Sequence, residues 1–161
     1  MIEVVVVCHE DLAYKLLEVA ERLSHRSEKC WPVSISDGKH PDTYLELIDK
    51  AVKEASSGGN PVLILTDLFG GTACNVSLPY LKKGEVEVLS GVNLAMILRA
   101  FQRRKQQPEP TVAQLAFDCA KYASEGIRIC SMDVLNFRNF NLEAAANKTN
   151  AGKTKKNVSS N

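Results

Sequence analysis

The feature that most constrains the fold is a series of short apolar runs that alternate with segments of helical periodicity. Residues 2–8 and 61–66 are strand-length runs of Val, Ile and Leu with almost no polar interruption. Strands of this kind are usually covered on both faces, as in a parallel sheet, because a half-exposed strand alternates apolar and polar residues. Further strands are predicted at residues 31–36, 85–90 and 127–131.

Apolar residues at helical spacing fill the intervals between these runs. They recur three or four residues apart after Asp11, after the turn at residues 37–41 and over residues 94–103. A short helix is predicted from about Thr72, and Thr111 is a candidate cap for a last helix. The alternation predicts an α/β fold with a mostly parallel sheet, right-handed crossovers and helices on both faces.

The end of the chain differs in composition from the rest. After Glu143 there are four lysines and no acidic residue, and Asn, Ser and Thr dominate. Such a segment buries too little apolar surface to offset the entropy of ordering it. We therefore expect one α/β domain over residues 1–131 and a largely disordered extension over residues 132–161.

Charge and cysteine content exclude several classes of protein. Lys and Arg number 20 and Asp and Glu 19, so no basic bias points to nucleic acid. The apolar run at the start is too short to span a bilayer and lacks the basic flank of a signal peptide, so we expect a cytoplasmic protein. The five cysteines include no C-x-x-C pair, and we interpret them as small buried apolar residues. No metal or cofactor is expected.

Candidate functional residues follow the strands, because ligands of open α/β sheets bind beyond the carboxyl ends of the strands. The first strand ends at His9, the third at Asp67, and Gly70 and Gly71 precede the helix that begins at Thr72. A neutral imidazole can act as a nucleophile, and a carboxylate on its other ring nitrogen fixes the tautomer. Backbone N–H groups of Gly71 and Thr72 suit a phosphoryl group. The arrangement is typical of phosphohistidine chemistry, and no nucleotide-binding glycine motif is present.

Simple structural explanations for these residues stay open at this point. A histidine at a strand end can be incidental, an aspartate can form a turn or cap, and paired glycines are common in turns. A Cys–His nucleophile pair is not expected, because Cys8 and His9 should point to opposite faces of the strand. His25 and His40 are interpreted as surface residues.

Three segments carry a family resemblance. They are residues 1–13, residues 63–75 with the sequence LILTDLFGGTACN, and residues 90–96 with the sequence SGVNLAM. In order and spacing they resemble the mannose-family IIA component of the bacterial phosphoenolpyruvate:sugar phosphotransferase system (PTS), over about residues 1–130. The resemblance implies a doubly wound α/β sheet and a homodimer that exchanges a C-terminal strand, here residues 127–131.

The resemblance also implies a phosphotransferase activity. His9 would accept a phosphoryl group from the phosphocarrier HPr and pass it to a IIB component on a separate chain. IIB would then phosphorylate sugar during uptake through the membrane subunits IIC and IID. Asp67 would be the carboxylate paired with the histidine, and Gly70, Gly71 and Thr72 would form the phosphoryl-binding loop.

Glu10 departs from the family pattern, which usually has glycine after the histidine. If this position requires a positive φ, glutamate costs of order 1 kcal/mol. Its charge would also disfavour an incoming phosphoryl group or an acidic partner. Two alternative functions therefore remain: a regulatory phosphohistidine module that signals carbon status without sugar transport, and a subunit of a PTS-dependent dihydroxyacetone kinase.

Overall fold

A computed structural model describes residues 1–25, 29–36, 38 and 41–132. The strands are β1 (Glu3–His9), β2 (Cys30–Ile35), β3 (Val62–Thr66) and β4 (Val86–Ser90). The helices are α1 (Leu12–Ser24), α2 (Pro41–Ala55), α3 (Thr72–Ser77), α4 (Leu94–Arg103) and α5 (Val112–Glu125), with a 3₁₀ turn at Leu78–Tyr80. These elements confirm the predicted alternation of strands and helices up to α5.

The four strands form one parallel sheet in the order β2-β1-β3-β4. From β1 the chain steps outward to β2 and then returns across β1 to β3, so the strand order reverses between β1 and β3. Such a switch point is where ligands of open α/β sheets bind. The last paired residues of these two strands are Val7 and Thr66, and β1 continues for two residues to His9. The topology therefore places His9 and the residues after Thr66 at the switch point.

Two apolar clusters lie on opposite faces of the sheet. Helices α1, α4 and α5 share one apolar cluster with Val4, Val6 and Cys8 of β1. Helices α2 and α3 pack against Val5 and Val7 of the same strand. Successive residues of β1 thus serve opposite faces, which explains why the strand is apolar throughout. The predicted fold class, with helices on both faces of a parallel sheet, is confirmed.

The fifth strand predicted at residues 127–131 is absent from this chain. Residues 127–129 have no regular secondary structure, and residues 130–132 are helical. A strand requires a hydrogen-bonding neighbour, and an exchanged strand finds that neighbour on a second copy rather than on its own chain. The exchange in a homodimer stays a prediction. Most of the predicted extension, residues 133–161, and also His40 lie outside the described residues.

Helix caps agree with the sequence in part. Thr111 accepts a hydrogen bond from the Gln114 N–H, and the Gln114 side chain accepts one from the Thr111 N–H, so this pair forms a capping box. Asp11 precedes α1 as predicted, but none of the described amides of that helix donates to its carboxylate.

None of the helices in the described parts of the chain is long and apolar enough to cross a bilayer.

A buried ion pair lies at the end of the sheet opposite His9. Arg104 is 1% exposed, and its Nη1 lies 3.9 Å from Oε2 of Glu3, the first residue of β1. The same Nη1 donates to the carbonyl oxygen of Lys29 at 3.3 Å. Removal of the Arg104 charge would leave the buried Glu3 carboxylate without this ion pair, so the contact fixes the amino end of β1 against the segment after α4.

The position of Glu10 does require a positive φ, and Glu10 adopts the left-handed backbone conformation. Its φ is +49°, and its side chain is exposed. Two contacts to β2 hold this conformation: the Glu10 N–H donates to the Ile35 carbonyl at 2.9 Å, and the Ser34 hydroxyl donates to the Glu10 carbonyl at 2.5 Å. A non-glycine residue with this φ is strained, and such strain is concentrated at functional sites.

We predict that Glu10→Gly raises the free energy of unfolding by about 0.5–1 kcal/mol, because glycine adopts a positive φ without a Cβ clash. Glu10→Ala is the matched control, since it removes the same carboxylate but keeps the Cβ. It should change the stability by less than about 0.5 kcal/mol. Urea denaturation of the three proteins measures both values. Equal gains from Gly and Ala would show that charge, rather than backbone strain, limits stability here.

Candidate active site

The carboxylate of Asp67 accepts hydrogen bonds from three N–H groups at the switch point. Its Oδ2 accepts from the backbone N–H of His9 and contacts His9 Nδ1, both at 2.7 Å. Its Oδ1 accepts from the backbone N–H of Leu68, also at 2.7 Å. The side chain of Asp67 is 13% exposed, whereas that of His9 is 40% exposed. The structure thus brings the two predicted catalytic residues into direct contact.

The hydrogen bonds to Asp67 determine its charge and the tautomer of His9. Burial of the carboxyl group opposes ionisation, but the hydrogen bonds from His9 and Leu68 outweigh it and hold the pKa of Asp67 below its ordinary value. An ionised carboxylate can only accept hydrogen bonds, so Nδ1 of His9 carries the proton. In the neutral ring the lone pair is then on Nε2, the nitrogen that Asp67 leaves uncovered.

A tight turn brings the glycine loop against the histidine ring. The Gly71 N–H donates to the Leu68 carbonyl at 3.0 Å, and Gly70 has a φ of +76°. A Cβ on Gly71 would lie 3.2 Å from the Leu68 oxygen and 3.7 Å from Cε1 of His9. The φ of Gly70 favours glycine, and a side chain at Gly71 would need the Leu68 carbonyl oxygen to shift by a few tenths of an ångström.

The amides of the predicted phosphoryl-binding loop are not equivalent. The Gly71 amide already donates to the Leu68 carbonyl within the turn, which the sequence did not indicate. Thr72 begins α3, and the first amides of a helix have no partner within the helix. Asn75 donates from its side chain to the Gly70 carbonyl at 3.0 Å and thereby supports the turn. The structure places Gly71 beside the His9 ring, between Gly70 and Thr72 in the chain. Binding of a phosphoryl group by this loop stays a prediction.

The third segment of the resemblance supports the backbone of the site. The Gly91 N–H donates to the Asp67 carbonyl at 2.9 Å, and the Val92 N–H donates to the Thr66 carbonyl at 2.8 Å. Asn93 caps α4 by accepting from the Met96 N–H at 3.1 Å. In the sequence this segment carried only the family resemblance, and nothing indicated that its amides hold the Asp67 backbone. The positive φ of Gly91, +88°, is the local signal of such a turn.

The neighbouring thiol takes no part in the site. Cys8 is buried on the opposite face of β1 from His9, as the alternation of the strand predicts. Burial, with a smaller effect of the Asp67 charge, raises the pKa of the Cys8 thiol to about 12. The expectation that all cysteines are buried is wrong for two of them, since Cys30 is half-buried and Cys130 is exposed. His25 is exposed at the end of α1, as expected.

Metal-binding residues are not grouped here. Within the described ranges, no three His, Cys, Asp or Glu side chains lie together in a way that could hold a metal ion.

Comparison with known proteins finds relatives that are described as phosphotransferase components. Escherichia coli (strain K12) YadI, by its description a phosphotransferase enzyme IIA component, is 33% identical over 94 residues, which are 58% of this chain and 64% of that protein. The PTS system mannose-specific EIIAB component of the same strain is 26% identical over 128 residues, which are 79% of this chain and 39% of that protein. The chain thus spans less than two thirds of these curated relatives.

A solved structure and a family model complete the comparison. The phosphotransferase system component EIIA from Streptococcus agalactiae superposes with a TM-score of 0.69 at 26% identity, over 82% of this chain and 99% of that one. Residues 3–115 match the family model EIIA-man, described as PTS system fructose IIA component. Since that match covers most of the sequence, the chain belongs to the EIIA-man family of phosphotransferase-system IIA components.

Proposed function

We propose that this protein is a cytoplasmic carrier of phosphoryl groups in the PTS, which accepts them on His9 from phosphorylated HPr and passes them to a IIB component. Membership of a family of phosphotransferase components supports the general role. The observation that carries the assignment to His9 is its 2.7 Å contact with Asp67 through Nδ1, in a ring that is 40% exposed. This combination provides an oriented nucleophile that a partner can reach.

In the proposed step, Nε2 of His9 attacks the phosphorus of the incoming phosphoryl group. The Nε2–P bond forms, the bond between phosphorus and the donor breaks, and its electron pair stays with the donor. The proton on Nδ1 remains there, so the phosphorylated ring carries a positive charge. Asp67 stabilises that charge from 2.7 Å away.

The loop beside the ring would receive the phosphoryl oxygens. Gly71 keeps the space next to Cε1 of His9 free of a side chain. The Thr72 amide and hydroxyl are donors at the start of α3. In the second transfer, an acceptor on IIB attacks the same phosphorus and the Nε2–P bond breaks. The ring then returns to its neutral form, with its lone pair on Nε2.

The remaining components follow from this role. IIB would act on sugar together with the membrane subunits IIC and IID, which this protein would affect only indirectly. A homodimer with exchanged residues 127–131 is part of the same proposal. The family assignment favours neither a regulatory module nor a dihydroxyacetone-kinase subunit.

We predict that His9→Ala abolishes phosphorylation by phosphoenolpyruvate, enzyme I and HPr, because the substitution removes the only proposed nucleophile. Intact-mass measurement at neutral pH should show one added phosphoryl group on the wild-type protein and none on the variant. His25→Ala is the matched control, since His25 is also exposed but ends α1. Persistent labelling of His9→Ala would disprove the assignment.

We predict that Asp67→Asn slows the labelling of His9 by at least roughly 10- to 100-fold, the loss seen when the partner that orients a metal-binding histidine is removed. An amide can present an N–H to Nδ1 and thereby favour the tautomer with its proton on Nε2. Quenched-flow labelling at neutral pH measures the rate. A rate equal to that of the wild-type protein would show that Asp67 does not orient the ring.

The stabilisation from Asp67 should also depend on pH in a defined direction. Because the folded state lowers the pKa of Asp67, its contribution is fully present above the ordinary value of 3.8 and is lost as the pH falls through the folded value. The difference in free energy of unfolding between wild type and Asp67→Asn should be about 1–3 kcal/mol at neutral pH and smaller in acid. A difference that grows in acid would contradict this.

A further inference from the structure

We infer that the side chains of Leu68 and Phe69 are the apolar anchor on which the protein that donates the phosphoryl group docks, with Glu10 selecting a basic surface beside it. This inference rests on the proposed function, because it concerns the partner of the same histidine. The occupant is the phosphorylated face of the donor protein, with an apolar recess and basic side chains around its phosphoryl group.

The two side chains project from a turn whose backbone is well held. Leu68 is 66% exposed and Phe69 is 83% exposed. The Gly71 N–H and the Leu68 carbonyl close the turn, which places Phe69 at its tip. Turn tips usually carry Gly, Pro, Asn, Asp or Ser, and adjacent exposed apolar residues mark interaction sites. Leu68 and Phe69 therefore add little to the core, and a partner is the simplest reason for their exposure.

The same contacts tie this turn to the nucleophile. Asp67 holds the His9 ring with Oδ2 and the Leu68 N–H with Oδ1. Cβ of Leu68 and Cε1 of His9 lie 3.4 Å and 3.7 Å from the point where a Cβ on Gly71 would stand. The tip and the ring are thus neighbours with a shared support, and a partner that contacts one is aligned with the other.

The chemistry of the transfer requires a partner at this place. Phosphorus must approach Nε2 to about 3–3.5 Å before the bond forms. A donor whose phosphoryl group is attached to a protein therefore covers the surface around the His9 ring, and that surface includes the tip. Large aromatic side chains in the centre of an interface supply much of its binding energy.

Negative charge next to the His9 ring indicates that the donor presents a basic surface. Glu10 and Asp11 follow His9 directly, and both are exposed. The contacts from Ser34 and Ile35 fix the Glu10 backbone despite its φ of +49°. A strained residue that carries an exposed charge beside a nucleophile is better explained by recognition than by stability. Two carboxylates favour a partner with basic side chains and accelerate its encounter at low salt.

The test compares a protein donor with a small one. Phosphorylated HPr must dock, whereas phosphoramidate is a small phosphoryl donor that needs no docking surface. The variant is Phe69→Ser, which shortens the side chain at the tip and keeps the backbone of the turn. The matched control is Phe117→Ser, because Phe117 is also an exposed phenylalanine, 69% exposed, but lies on α5. Labelling rates are measured against donor concentration by intact mass.

We expect Phe69→Ser to raise the KM for phosphorylated HPr by about tenfold, as for a central aromatic contact, and to leave labelling by phosphoramidate within about twofold of wild type. Phe117→Ser should match the wild-type protein with both donors. Glu10→Gln should reduce the salt dependence of kcat/KM for phosphorylated HPr, whereas it should not slow labelling by phosphoramidate, an anion that the carboxylate repels.

Several results would overturn the inference. An unchanged KM for phosphorylated HPr in Phe69→Ser would overturn it. This holds even if Phe69→Ser slows the transfer from His9 to IIB. An equal loss with both donors would show that Phe69 supports the site rather than the docking. If wild-type His9 were labelled by phosphoramidate but not by phosphorylated HPr, the proposed function would fail at the donor. If neither donor labelled His9, the nucleophile itself would be wrong.

Discussion

The site depends on one carboxylate that is shared by two strand ends. Asp67 is 13% exposed and accepts hydrogen bonds from the backbone and ring of His9 and from the backbone of Leu68. Burial alone would disfavour its charge, and these three donors compensate for it. The same bonds fix the ring, its tautomer and the start of the glycine loop. Loss of this carboxylate would therefore disturb the chemistry and the docking surface together.

The fold supports this carboxylate from both sides. Amides of Gly91 and Val92 hold the backbone at Asp67, while Ser34 and Ile35 of β2 hold Glu10 after the histidine. All of these contacts lie at the carboxyl ends of the four strands, at or next to the point where the strand order reverses. The histidine thus lies at the carboxyl edge of the sheet, where the backbone on both sides of it is hydrogen-bonded and its ring is accessible to a partner.

Much of this arrangement is predictable from sequence, for physical reasons. Continuous apolar runs identify buried parallel strands, and parallel strands bring their carboxyl ends to one edge, so His9 and Asp67 were expected to meet. The strand predicted at residues 127–131 is not formed in the single chain, because the segment has no strand to pair with there. The burial of Arg104 was not predictable, since nothing in the sequence distinguishes it from Arg103 and Lys105 beside it. The use of the Gly71 amide within a turn depends on φ values that only the structure supplies.

Asp67 holds the proton on Nδ1 of His9 and leaves the lone pair on Nε2. ¹⁵N NMR of the protein labelled at histidine ring nitrogens tests this directly, at a pH where the ring is neutral. We expect a protonated Nδ1 and an unprotonated Nε2 for His9, with this preference lost in Asp67→Asn. A His9 ring in the wild-type protein with its proton on Nε2 would disprove this role of Asp67, because Nε2 would then have no free lone pair.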